Sequence, residues 1–517
     1  VTARQIAASD GHRDRPQIIV NRDPGTVTAE TRRALTAVNW PPELFRSGGV
    51  LSRTGLDDEG RVVITPLTPP AIRAELAARI RWVKKTKDGL SPAGVPPIAV
   101  DDLATHADQL GGDRGVPVLT QVVTAPVFAP DGTLVTQPGY IPAARAWYEP
   151  VDGMVVQPVS SAPSWEEVQK AKWLLHGELL GDFPFDTAAS RQHALGTLLL
   201  PFVRMMIDGP VPLQAADAAT PGTGKGLLQK ALMYPALGRM PPARPPVLND
   251  EAELAKRLLA ALLAGHQVIR WDNVRHTVDS ATLSMVLTEP VFEDRVLGLS
   301  RDATVPVQAI FMINGNNLSF SQEIARRVVP VRLDVSAYPA QAAHAERPWE
   351  RRQFRHPDLL KWAKAHRGQL VWAALTLIQA WIAAGKPECS RTLGGYEAWS
   401  QVAGGIVEHS TRNEQGVADC WFLAGLEQMY ADAVSDRDEM LTFLEAWAGQ
   451  LGWRPVTITQ LLYGPLLVAD PFGIDTSKST RSQETAIGYR LGKIRGQVHG
   501  GFQVVKDGRM WRLQTAG

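Results

Sequence analysis

The spacing of apolar residues changes character along this chain, and the changes predict its architecture. Up to about residue 160, short apolar runs are broken by proline and glycine, which predicts a mixed α+β region. Residues 73–82 carry helical spacing and run into Lys84, Lys85 and Lys87; a basic stretch with an aromatic either touches phosphates or is a solvated helix face. Residues 126–135 alternate about Asp131-Gly132, a hairpin signal. Long helical periods follow over 165–180 and 188–207. An apolar run at 211–218 predicts a buried strand, 227–233 a helix, and 251–264 an amphipathic helix capped by Asn249 or Asp250. Between the two helices Pro241, Pro242, Pro245 and Pro246 mark a loop, because consecutive prolines cannot continue a helix. Strands are expected at 267–271, 295–299 and 305–313. Strand alternating with helix predicts a parallel sheet covered on both faces. Residues 354–430 read as a helical bundle, with helices at 359–366, 369–384 and 416–433. The last stretch, 436–517, reads as helices followed by two strands around Lys506-Asp507-Gly508.

Bulk properties narrow the class. A chain of 517 residues is too long for one core and predicts three or four domains. Its 44% hydrophobic and 21% charged residues are those of an ordinary globular protein. A net charge of +1 restricts any nucleic-acid surface to a local patch. Cys389 and Cys420 lie far apart without ligand-like neighbours, which predicts reduced thiols. No apolar run reaches the ~18–20 residues of a membrane span. The first residues hold no apolar signal core, so a cytoplasmic protein is expected. The absence of a starting Met fits a processed, alternatively started or truncated chain.

Chemistry concentrates first in the run Thr220, Pro221, Gly222, Thr223, Gly224, Lys225, set between the predicted strand and helix. Glycines there let backbone N–H groups converge on phosphate oxygens, and Lys225 supplies a point charge for the β- and γ-phosphates. With Gly226 and Leu227 these residues form the expected ATP cradle, a P-loop. It departs from the usual pattern twice. Ala219 stands where the first glycine would be, and Gly226 stands where a magnesium-ligating hydroxyl would be. A metal ion could still be held by water and the triphosphate.

Three further pieces follow in order. A strand ending at Asp272 predicts a carboxylate that holds Mg2+ through water, while Asn273 replaces the second acid that would polarise the attacking water. The next strand ends in Asn314, Gly315, Asn316 and Asn317, where Asn316 is the expected water-orienting amide, although Gly-Asn-Asn is also ordinary turn chemistry. Arg326 and Arg327 then lead a strand and read as an arginine finger reaching a neighbouring subunit's ATP, or as a surface pair. Arg367, opening a helix of the bundle, is a candidate lid arginine. Arg295 and Arg301 lie where a DNA-contacting hairpin would sit. From residue 473 on, eight basic residues face three acidic ones, and a helix followed by a two-stranded wing reads as a winged helix. Its DNA candidates are Arg490, Lys493, Arg495, Lys506 and Arg509.

With these pieces in order, residues 110–517 resemble the AAA+ helicases of phages, plasmids and other mobile elements, related to the MCM and superfamily III groups. The runs 217–228, 271–274, 294–298, 315–317, 326–330 and 396–399 carry the resemblance, with residues 117–140 similar to the segment that precedes such ATPases. It implies an α/β AAA+ P-loop ATPase core over 161–340 with a helical lid over 341–434. A mixed α+β N-terminal domain over 1–160 and a C-terminal winged helix over 435–517 complete the expected organisation. It further implies a hexameric homo-oligomer threading single-stranded or forked DNA. No primase signature is present, so a primase or polymerase partner would be another polypeptide or a lost N-terminal part. In similar proteins a glycine after the P-loop lysine and an Asp-Asn pair both occur.

The leading expectation is therefore an ATP-dependent DNA helicase or translocase. One alternative is an initiator or loader that uses ATP as an assembly switch, favoured by the missing second acid and P-loop hydroxyl. Another is a nucleotide-stabilised DNA-binding scaffold without enzymatic activity, which Lys225 and the arginine pair disfavour.

Overall fold

The computed structural model describes residues 15–57, 62–111, 115–151, 153–239, 242–248, 250–275, 277–295, 302–335, 354–413, 420–496, 498–499 and 501–515. By contact the chain forms two compact units: Val1–Leu318 with Arg327–Ala424, and Ser319–Arg326 with Gly425–Gly517.

The first unit begins with β1 (Gln17–Ile19), α1 (Pro24–Val38), β2 (Leu44–Ser47), β3 (Val50–Leu56), β4 (Val62–Pro66), α2 (Pro69–Arg79), β5 (Arg81–Thr86), β6 (Gly89–Pro92) and α3 (Pro97–Thr105). Strands β2, β3 and β4 make an antiparallel meander, while β1 pairs parallel with β5, which pairs antiparallel with β6. Val27, Leu35, Ile72, Leu76, Val100 and Leu103 from the three helices share one core with Ile18 and Trp82. The helix expected over 73–82 stops at Arg79, because Ile80 is extended and the chain enters β5. Trp82 is 5% exposed and donates its indole N–H to the Leu76 carbonyl at 3.2 Å, so the aromatic closes the core and offers bases no face.

The hairpin about Asp131-Gly132 forms between β7 (Val127–Phe128) and β8 (Leu134–Val135). Gly132 takes a φ of +93°, which a Cβ disfavours. The period beginning at residue 165 gives α4 (Trp165–Lys172), with a capping box between Ser164 and Glu167, continued by wider turns over Trp173–Leu179. Next comes α5 (Ala188–Val203), apolar on nearly every side and buried accordingly.

Four strands then build a parallel sheet: β9 (Leu213–Ala218), β10 (Val268–Val274), β11 (Ile310–Asn316) and β12 (Val328–Leu333), in spatial order β10-β11-β9-β12. Their residues are buried almost continuously, as parallel strands covered on both faces require. The helix α6 (Lys225–Leu237) follows β9, and α7 (Glu251–Leu263), capped by Asp250 accepting from Glu253 N at 3.0 Å, precedes β10. The mixed α/β class and the parallel sheet thus agree with the sequence pattern.

The run 305–313 is not one strand. Its first part belongs to Asp302–Pro306, paired antiparallel with Val291–Arg295, and its second part is β11. Buried Arg204 holds the break open by donating to the carbonyls of Val307 (2.8 Å), Gly209 (3.0 Å) and Ile207 (3.0 Å). The strand expected over 295–299 ends at Arg295 among the described residues.

The helices Leu359–Ala365 and Arg367–Ala383 occupy the expected places. The helix expected over 416–433 starts at Leu426 among the described residues and runs to Leu451. The boundary expected at 434/435 therefore falls inside a helix, and the units divide at Gly425.

In the second unit the helices Leu426–Leu451, Ile458–Leu462 and Thr480–Ile494 pack on a three-stranded antiparallel sheet, where two strands were expected: Val498–His499, Phe502–Asp507 and Met510–Thr515. Phe443, Trp447, Leu461, Ile487, Leu491, Val504 and Trp511 form its core. Among the described residues no helix is long and apolar enough to cross a membrane.

Candidate functional site

Parallel strands deliver their C-terminal ends to one edge of the sheet, and the glycine-rich turn lies on that edge between β9 and α6. Gly222 and Gly224 have φ of +76° and +104°, so the backbone needs glycine at both. Lys225 is the first residue of α6 and is half-buried. Its Nζ donates to Asn316 Oδ1 at 2.5 Å, to the Thr220 carbonyl at 3.2 Å and to Thr223 Oγ1 at 3.2 Å. Burial pulls the ammonium below its ordinary pKa, and the Asp217 carboxylate opposes that shift. Asp217 accepts from Leu318 N at 3.0 Å and stands 3.9 Å from Arg332 Nε. The N-terminal N–H groups of α6 lack intrahelical partners and face this same edge.

One helical turn beyond Lys225, Gln229 meets the same strand. Asn314 Nδ2 donates to Gln229 Oε1 at 2.8 Å, and Gln229 Nε2 donates to the Ile313 carbonyl at 2.9 Å. Residues four apart on a helix rise about 6 Å, close to the ~6.6 Å between alternate strand residues. The rungs Lys225–Asn316 and Gln229–Asn314 therefore match in spacing.

On the neighbouring strand β10 the register with β11 shifts between Trp271 and Val274. Asn273, inside that bulge, takes φ +57° and donates its backbone N–H to Asn314 Oδ1 at 3.0 Å. The side chain of Asp272 is 41% exposed and one oxygen lies 3.4 Å from Arg270 Nη1. Arg270 is buried beneath it; burial lowers the guanidinium pKa and Asp272 opposes the shift. Among the described residues no three His, Cys, Asp or Glu side chains cluster to hold a metal ion. A single half-exposed carboxylate, with Gly226 adding no hydroxyl, suits an ion bound mainly by water and phosphate oxygens.

The structure thus brings Thr220, Pro221, Gly222, Thr223, Gly224, Lys225, Gly226, Leu227 and Asn316 to one sheet edge, with Asp272 on the adjacent strand end. It puts Arg327 elsewhere. Arg327 precedes β12, its carbonyl accepts from Leu213 N at 2.8 Å where β9 begins, and its Nε donates to Thr288 Oγ1 at 2.9 Å. That is the opposite end of the strands from Lys225, roughly 17 Å away for a strand of this length. Arg326 is exposed.

Arg367 lies at the far end of α6 from Lys225. Arg367 is 7% exposed, and its guanidinium donates to the carbonyls of Pro235 (3.0 Å), Ala236 (3.0 Å) and Thr124 (3.4 Å). It closes the C-terminal end of α6, whose opposite end carries Lys225.

Arg295 is exposed at the end of its strand; Arg301 lies outside the described residues. In the second unit Arg490, Arg495, Lys506 and Arg509 are exposed on the helix Thr480–Ile494, its cap and the terminal hairpin, and the side chain of Lys493 is outside the described set. Lys506 Nζ sits 5.7 Å from the Trp511 ring centroid. Sequence reasoning missed Gln229, Asn314 and Arg270. The available signals were an amide one turn after Lys225 and a charge inside an apolar strand.

No protein-family model matches the chain, and no curated protein matches it. Among solved structures it is similar to the active helicase Cch of SCCmec type IV, at 13% identity and TM-score 0.29, covering 76% of this chain and 73% of that one. It is also similar to JCV helicase with a bound acetamide compound, at 12% identity and TM-score 0.22, covering 52% of this chain and 76% of that one.

Proposed function

We propose that this chain is an ATP-dependent DNA helicase or translocase with an AAA+ P-loop core, acting as a hexameric ring in the replication of a mobile element. The observation that carries the reading is the contact of Lys225 Nζ with Asn316 Oδ1 at 2.5 Å, which joins two residues 91 positions apart that were assigned separately to one phosphate site. In this reading the N–H groups of the turn and the Lys225 ammonium hold the β- and γ-phosphates. Asn316, released from Lys225, orients the attacking water. Asp272 holds Mg2+ through water, and the ion supplies charge neutralisation at the phosphates. An arginine of a neighbouring copy, Arg326 or Arg327, stabilises the charge that develops in the transition state; the distance of Arg327 from its own Lys225 supports action between copies. Arg295 and Arg301 contact the DNA strand. The C-terminal helix and hairpin serve as a winged helix, with Arg490, Lys493, Arg495, Lys506 and Arg509 on phosphates.

The test is strand displacement on forks with 3′ and 5′ tails, with ATP turnover measured alongside. Turnover should rise with DNA and vanish in Lys225→Ala, and displacement should vanish in Arg326→Ala or Arg327→Ala. Gly226, which brings no hydroxyl to the metal, favours a second reading in which ATP drives assembly alone. Ring assembly on ATP without displacement would select it and sink the helicase.

A further inference from the structure

Two hydrogen-bonded rungs join α6 to β11, and only the upper one, Lys225–Asn316, faces the edge where a phosphate would bind. The lower one is sealed: Gln229 is 0% and Asn314 4% exposed, and each uses both its amide oxygen and its amide nitrogen. Gln229 donates to the Ile313 carbonyl and accepts from Asn314. Asn314 accepts from the backbone N–H of Asn273. This chain of bonds crosses from the helix opened by Lys225, through β11, to the bulge in β10 that carries Asp272. The bulge holds Asn273 at φ +57°, a conformation that L-residues adopt at a cost and keep only when neighbours fix it. A free Asn273 would relax toward ordinary strand geometry, turning Asp272 with it, since successive strand residues point to opposite faces.

We infer that Gln229 and Asn314 are positioning residues of the hydrolysis site: their buried amide pair locks the Asn273 bulge and so aims Asp272. The inference rests on the ATPase reading above. It assigns no contact with nucleotide to either amide. The upper rung opens when a triphosphate engages Lys225; the lower rung stays closed and keeps Asp272 registered against the helix that holds the phosphates. Binding and hydrolysis therefore separate. Loss of the lower rung leaves the turn and Lys225 intact and misplaces Asp272, and misplacement of a catalytic group by about 1 Å costs up to 100-fold in rate.

The experiment measures kcat and KM for ATP, binding of a fluorescent ATP analogue, and Tm in the full chain. The variants are Gln229→Met, Asn314→Leu and Asn314→Asp. Gln229→Met and Asn314→Leu should lower kcat at least about tenfold, with KM and analogue binding within about threefold of wild type. Asn314→Asp keeps an acceptor for Asn273 N but loses the donor to Gln229 Oε1, so its kcat should fall clearly less than that of Asn314→Leu, even if Tm falls. Adding Asn273→Gly to Asn314→Leu should recover part of the lost kcat, because glycine takes a positive φ unaided. Unchanged kcat in folded Gln229→Met, or equal losses of kcat in Asn314→Leu and Asn314→Asp, overturns the inference and leaves the ATPase reading standing. A wild-type chain without Lys225-dependent turnover overturns the ATPase reading first, and the inference falls with it.

Discussion

Lys225 Nζ and Asn316 Oδ1 stand 2.5 Å apart, so the cation proposed to hold the phosphates has a neutral amide as its partner. A neutral amide yields to a triphosphate; a carboxylate would not. Asn316→Asp would place an anion against the ammonium and repel the incoming phosphates. The expected outcome is at least a tenfold rise in Kd for ATP, measured by titration with a fluorescent analogue. Asn316→Ala should leave Kd within about threefold and lower kcat by about 100-fold, the scale of losing one well-placed polar group. A rise in Kd of similar size in both variants would assign Asn316 to binding.

Two glycines of the turn should answer substitution in opposite ways. Gly224 has φ +104°, and an added Cβ would also touch the Phe183 ring at 3.6 Å. Gly224→Ala should store about 1–3 kcal/mol of backbone strain and weaken ATP binding. Gly226 has open space around an added Cβ. Gly226→Ser should fold normally and supply the hydroxyl that the turn lacks. The Mg2+ concentration for half-maximal turnover should then fall several-fold, and an unchanged requirement would show that the hydroxyl is dispensable here.

The sheet and the turn were legible because they rest on local rules. Continuous apolar runs such as Ile310 to Ile313 read as buried strands, and a glycine-rich turn before a helix reads as an anion cradle. What escaped was set by partners distant in sequence. The three carbonyl acceptors of Arg367, on Thr124, Pro235 and Ala236, cannot be read from its own neighbourhood. Nothing in sequence linked Asn314 to Gln229. Strand alternation gives Asn316 and Asn314 the same face, and only the rise of α6 assigns one to Lys225 and the other to Gln229.

The placement of Arg367 makes its substitution a stability experiment. Arg367→Met would keep the length of the side chain and leave the carbonyls at the end of α6 without their donor. Unmet buried carbonyls cost about 1–3 kcal/mol each, less where water or relaxation compensates, so a loss of roughly 2–4 kcal/mol is expected. Denaturant unfolding would show it, while Kd for ATP in the folded protein should move by less than about threefold. A large change in Kd with unaltered stability would return Arg367 to the nucleotide.

Acid should destabilise the first unit through His176. Burial, aided by Lys172 and Arg191, pushes this imidazole down to about 4 from an ordinary 6.5. Between those values the unfolded chain binds a proton that the folded chain refuses, so stability rises with pH across the window. The contribution is complete above pH 6.5 and is lost as the pH falls toward 4, by up to about 3 kcal/mol. Replacing the group with a non-titrating one, His176→Phe, should flatten unfolding free energy measured between pH 7 and 5. An equal pH slope in the variant would assign the effect to other groups.

Arg327 and Lys225 lie at opposite ends of the same parallel strands, which turns the finger assignment into a question about mixing. If each site takes its lysine from one copy and its arginine from the next, neither Lys225→Ala nor Arg327→Ala should hydrolyse ATP alone. Within a mixed assembly, some junctions join an intact lysine to an intact arginine and should regain activity. Random mixing in equal amounts makes that junction one in about four, so turnover should recover to about a quarter of wild type if sites act independently. Recovery below a quarter but above either parent would mean that neighbouring sites act together. Arg326→Ala mixed with Lys225→Ala distinguishes which arginine reaches across. Full activity of Arg327→Ala by itself would remove that residue from the site, and no recovery on mixing would confine both groups to one copy.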